Sequence, residues 1–101
     1  MPIHILMADK IRNEQIDTLC DAFALLRSAD ECYNFLSDLC TVSEIQEMSK
    51  RLAAAKMLRD GITYSEIAAT TGLSTATITR VNRALRYGND GYHIVLNKLP
   101  E

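Results

Sequence analysis

Apolar residues recur along this chain at intervals of three and four, and no segment alternates with period two, so the pattern predicts helices and no sheet. A first helix is expected from about Asn13 to Leu26, with Ile16, Leu19, Cys20, Phe23 and Leu26 on one stripe. Ser28 and Glu31 have the spacing of a capping box and open a second helix carrying Cys32, Phe35, Leu36 and Leu39. Thr41 and Glu44 repeat that spacing ahead of a third, longer helix that ends at Gly61. Its Ile45, Met48, Leu52, Ala55 and Leu58 or Arg59 fall at helical intervals. Two short helices follow, at about 64–71 and 74–87, and Gly88-Asn89-Asp90-Gly91 makes a turn. Tyr92, Ile94, Val95 and Leu99 then supply the apolar side of a short last helix. The expected architecture is all-α: about six helices in one domain over residues 1–101, with residues 1–12 as a candidate flexible tail.

The segment from Tyr64 to Arg80 has the joint spacing of a helix-turn-helix. Ala68 is small enough to let two helices approach closely. Gly72 can take the left-handed backbone that a tight turn needs. Ser74 is placed to cap the second helix, and Ile78 and Val81 turn its apolar side back onto the first. On a helical wheel Ile78, Val81 and Leu85 share one side, while Ala76, Thr79, Arg80 and Arg83 fall opposite and Arg86 lies toward the flank.

Composition narrows the function classes. Nearly half of the 101 residues are apolar, which excludes a disordered tail, and no apolar run approaches the ~20 residues of a membrane span. Residues 1–7 lack the basic flank and long apolar stretch of a secretory leader, and three irregularly spaced cysteines do not make a disulfide framework. A reducing, cytoplasmic setting is therefore expected. The apolar supply of the first two helices and of the last exceeds what a monomer of short helices could hide, which points to self-association.

The net charge of −2 argues against nucleic acid only until its distribution is considered. Residues 1–40 hold three basic and seven acidic side chains, a net of −4. Residues 41–88 hold Lys50, Arg51, Lys56, Arg59, Arg80, Arg83 and Arg86 against Glu44, Glu47, Asp60 and Glu66, a net of +3. No acidic residue interrupts positions 67–89, so the cationic excess surrounds the motif. The expected partner is double-stranded DNA. Ser74, Thr75, Ala76, Thr77, Thr79, Arg80, Arg83 and Arg86 are the candidate contacts: hydroxyls for bases or phosphates, Ala76 for close approach to a thymine methyl, and arginines for phosphates or guanine.

Thr41 ahead of the long helix, Arg51 within it, the break at Gly61 and Thr77-Ile78-Thr79-Arg80 together resemble the Trp repressor family. Glu31-Cys32-Tyr33, Asp38-Leu39-Cys40-Thr41, Ala76 to Arg83 and Tyr87-Gly88-Asn89-Asp90-Gly91-Tyr92 resemble its YerC/YecD-like branch more closely. The resemblance implies an intertwined helical homodimer that presents two reading heads to a two-fold symmetric operator. It also implies a ligand pocket in which Arg51 and Arg80 would flank an indole and Thr41 would lie near its amino-acid end. The chain departs from that pattern at two positions. Val81 replaces a glycine and would occupy ligand space, and Ala84 replaces a serine and cannot accept a bond from an ammonium group. Tryptophan is not the expected effector, no cofactor is expected, and Arg51 and Arg80 are expected to bind phosphate or internal carboxylates.

Cys20, Cys32 and Cys40 match no zinc spacing and are read as buried apolar residues. His4 and His93 have no ligand-like partners, and Asn89-Asp90 lacks the oxygen ligands of a calcium loop. No catalytic arrangement is present in the sequence, so an enzyme is not expected. The reading is a transcriptional regulator; the alternatives are a protein-interaction module on the same scaffold or a regulator gated by another small ligand.

Overall fold

The computed structural model describes residues 10–100. These form six helices and, among the described residues, no strand: α1 (Glu14–Leu25), α2 (Ala29–Leu39), α3 (Val42–Arg59), α4 (Tyr64–Thr71), α5 (Thr75–Tyr87) and α6 (Gly91–Lys98). His4 and most of the candidate tail lie outside the described residues. Contacts group the chain into two compact units, Met1–Ile45 and Gln46–Glu101, with the first turn of α3 in the former.

In the first unit short-range polar bonds fix the helix starts. Asn13 Oδ1 accepts the amide of Ile16 at 2.8 Å and Ser28 Oγ that of Glu31 at 3.2 Å. At Thr41 the box is reciprocal: Thr41 Oγ1 takes the Glu44 amide at 3.1 Å, and the Glu44 carboxylate takes the Thr41 amide at 2.8 Å. The box at Ser28 is not. Glu31 reaches past it to the amide of Arg27, because the chain arrives extended and presents that earlier N–H. Phe23 and Phe35 meet edge to face, 5.3 Å between centroids. No residue of α1 or α2 is buried, and Leu25 and Tyr33 are 76% and 74% exposed. Leu25 and Tyr33 stand outside the predicted stripes, which are themselves half-covered: Ile16, Leu26, Cys32, Phe35 and Leu36 are half-buried, and Leu19, Phe23 and Leu39 are exposed.

The second unit contains the core. Ala54, Ala55 and Leu58 of α3, Ile67 of α4, Leu73 of the turn, Ile78, Val81 and Leu85 of α5 and Leu96 of α6 form one buried cluster. Ala54 and Ala55 have no side chain beyond Cβ, so α3 can approach its neighbours closely, and Ile67 and Ile78 are fully enclosed. Burying each isoleucine stabilises the unit by about 1.5–3 kcal/mol. The end of α3 is a Schellman turn: Gly61, at φ 82°, donates to Leu58, and Ile62 donates to Met57 and packs on the core. Arg59 Nη1 donates to Asn97 Oδ1 at 2.6 Å, tying α3 to α6.

Two expectations are corrected. In α6 the buried residue is Leu96, joined by half-buried Tyr92, whereas Ile94, Val95 and Leu99 are exposed. The helix is too short to bury more than one stripe, and Leu96 lies one turn after Tyr92. The cysteines are not buried: Cys20 is exposed and Cys32 and Cys40 are half-buried, because the unit that carries them has no enclosed core. All three are free thiols.

Candidate nucleic-acid interface

Local chemistry sets the angle between α4 and α5. Thr63 caps α4 by accepting the Glu66 amide at 3.2 Å. The helix stops at Gly72, whose φ of 75° is strained for any L side chain and whose amide donates to Ala68 at 2.9 Å. Open space surrounds the position of a Cβ at Gly72, so backbone geometry rather than crowding requires the glycine. Thr71 stitches the turn, donating its hydroxyl to Ile67 at 2.7 Å and accepting the Leu73 amide at 3.2 Å. Leu73 then drops into the core, and Ser74 starts α5 by accepting the Thr77 amide at 3.1 Å.

The core fixes the rotation of α5. Ile78, Val81 and Leu85 are buried, so the opposite side must face outward. Ser74, Thr75, Ala76, Arg80, Arg83 and Arg86 are exposed there or on its flanks, whereas Thr77 and Thr79 are half-buried. Not every candidate hydroxyl is free. Ser74 donates to Thr77 Oγ1 at 3.0 Å, and Thr79 donates to the Thr75 carbonyl at 2.9 Å. Arg86 Nε donates to Asn82 Oδ1 at 3.3 Å, which draws its guanidinium to the flank. Among the described residues no carboxylate pairs with Arg80, Arg83 or Arg86. With no acidic side chain in the first turn of α5, the positive end of its dipole adds to the arginine charge. The result is a convex cationic ridge about 20 Å long, the dimensions of a helix that fits a DNA major groove.

The residues suggested for a ligand pocket each have surroundings of their own. Thr41, in the first unit, is held by Glu44. Arg51 lies 3.7 Å from Glu47 one turn back. Arg51 also acts on Tyr92: burial pushes the Tyr92 phenol above its ordinary value, and the guanidinium charge offsets part of that rise. Arg80 points outward from α5, Val81 is part of the core, and Ala84 is exposed. His93 Nε2 lies 2.9 Å from the Leu85 carbonyl, which only an N–H at that nitrogen satisfies, and so it covers an end carbonyl of α5. Among the described residues no cluster of three metal-ligand side chains is present.

The sequence profile of the Trp repressor protein family matches residues 14–100. The chain belongs to the Trp repressor family. Within it, YerC of Bacillus subtilis, an uncharacterized protein, is 48% identical over 93 residues, covering 92% of this chain and 89% of YerC. A Trp repressor candidate from Staphylococcus aureus, solved as a crystal structure, superposes with a TM-score of 0.83 at 49% identity. That match covers 89% of this chain and 90% of the other. A TrpR-like protein from Eubacterium eligens superposes at 0.82 with 47% identity, covering 92% and 99%. The fold is therefore that of the TrpR-like proteins, as the resemblance implied.

One large side chain on the outward face of α5 was missing from the candidates. Tyr87 is 85% exposed. Its position four residues after Arg83 and seven after Arg80 was the signal, masked by the adjoining turn sequence.

Proposed function

We propose that this member of the Trp repressor family is a sequence-specific DNA-binding transcriptional regulator that acts as a homodimer and represses its targets. One observation carries the reading. The core fixes Ile78, Val81 and Leu85 inward, and this leaves Ala76, Arg80 and Arg83 outward on a ridge without acidic residues. The exposed apolar side chains of α1 and α2 support dimerisation, since a second copy would bury Phe23, Leu25, Tyr33 and Leu39. Val81 packed in the core and Ala84 without a polar atom support an effector other than tryptophan, or none.

Selection of bound duplexes from a random pool, followed by sequencing, tests the reading. A two-fold symmetric site with half-sites about 34 Å apart is expected, the spacing general to helix-turn-helix dimers. No enrichment would favour a protein-interaction module instead. Replacing Arg80 and Arg83 together by alanine should weaken binding and make the salt slope shallower by about 3.6, since the homodimer carries two copies of each arginine. Calorimetry with tryptophan should show no heat at micromolar concentrations.

A further inference from the structure

We propose that Tyr87 is a further DNA-contacting residue that, with Arg83, clamps one backbone phosphate at the C-terminal end of α5. The proposal rests on the DNA-binding reading above. Tyr87 is the most exposed of the large apolar side chains among the described residues, and nothing described bonds to its hydroxyl. At about 100° per residue it lies about 180° from Ile78, which is fully buried, and within about 20° of Ala76 and Arg80 and about 40° of Arg83. Its side chain therefore extends the middle of the outward face. Arg83 stands one turn back, about 6 Å along the axis, where i and i+4 side chains meet.

The two tyrosines of the Tyr87-Gly88-Asn89-Asp90-Gly91-Tyr92 block have separated roles. Tyr92 packs against the core, and Tyr87 turns away from it. Arg86, adjacent in sequence, is drawn to the flank by Asn82 and leaves Tyr87 beside Arg83 alone. A helix whose N-terminal end enters the groove carries its last turn toward the sugar-phosphate strand. A phenol there donates to a phosphate oxygen while the neighbouring guanidinium supplies charge. Tyr87 adds a neutral donor and no counterion release, so its signature differs from that of an arginine.

The test compares the full-length wild type with Tyr87→Phe, Tyr87→Ala and Arg83→Ala on a duplex selected with the wild type, titrated at several salt concentrations. Thermal unfolding checks that each variant folds. Tyr87→Phe should bind about tenfold to a hundredfold more weakly with an unchanged salt slope, the loss of one hydrogen bond in each half-site. Arg83→Ala should also make the slope shallower by about 1.8, one phosphate contact in each half-site. Wild-type affinity in Tyr87→Phe would overturn the clamp while leaving the DNA reading intact, whatever Tyr87→Ala does. Failure of the wild type to retain any duplex would overturn that reading and the clamp together.

Discussion

Glu44, Tyr92 and Gly72 are governed by hydrogen bonds, by burial and by backbone conformation respectively. The Glu44 carboxylate accepts the backbone amide and works beside the hydroxyl of Thr41, and these bonds lower its pKa below the ordinary 4.5. Because the folded value is depressed, the stabilisation is present above the unfolded value and is lost as pH falls through the folded one. A carboxyl titration followed by NMR should find Glu44 below 4.5, and Thr41→Ala should move it upward. Tyr92 shifts the other way, above 10.0, chiefly through burial. The associated stability is complete below the unfolded phenol value and is lost as pH rises through the folded one. Since Arg51 opposes the shift, Arg51→Ala should raise the Tyr92 transition further in an ultraviolet titration that uses Tyr92→Phe as the blank. At Gly72 the constraint is conformational. Gly72→Ala meets no atom but forces an L residue to φ 75°, and it should cost about 1–2 kcal/mol in chemical denaturation.

At the scale of elements, α5 combines two demands on one helix. Its buried side holds the second unit together, and its outward side carries the arginines. Substitutions on the two sides should therefore separate. Ile78→Ala removes a fully enclosed side chain and should destabilise by about 2–5 kcal/mol in a denaturant titration. Arg80→Ala should leave stability within about 0.5 kcal/mol of wild type. Much of this element was legible beforehand. Ser74, Gly72 and Ile78 announce a cap, a turn and a core position through chemistry that acts over a few residues. The failure at α6 has the same root. Ile94, Val95 and Leu99 are as apolar as Leu96, and only packing against α3 and α5 selects which of them is enclosed.

For the whole molecule, the contrast between the units is the main fact. The second unit encloses nine apolar residues, while α1 and α2 enclose none. An uncovered surface of that kind leads to the expectation that light scattering at micromolar concentration reports a dimer. Leu25→Glu combined with Leu39→Glu should shift the chain toward monomer while the buried cluster of the second unit stays folded. A monomeric wild type would contradict the assignment of this apolar surface to a second copy. The acidic balance of residues 1–40 against the cationic excess of 41–88 also belongs to this scale, since it concentrates the positive charge in one part of the chain.

The sequence by itself determined the helical class, the helix starts and the helix-turn-helix, because periodicity, caps and turn residues act between neighbours along the chain. It also located the arginines that mark the candidate interface. Only the tertiary structure decided which apolar stripes are enclosed and which are only half-covered, that the cysteines stand outside any core, and that Tyr92 packs on the core where the Arg51 charge is felt. Those outcomes depend on which surfaces meet across long sequence separations. Apolar character shows that a residue can be buried, but only packing shows whether another surface arrives to cover it.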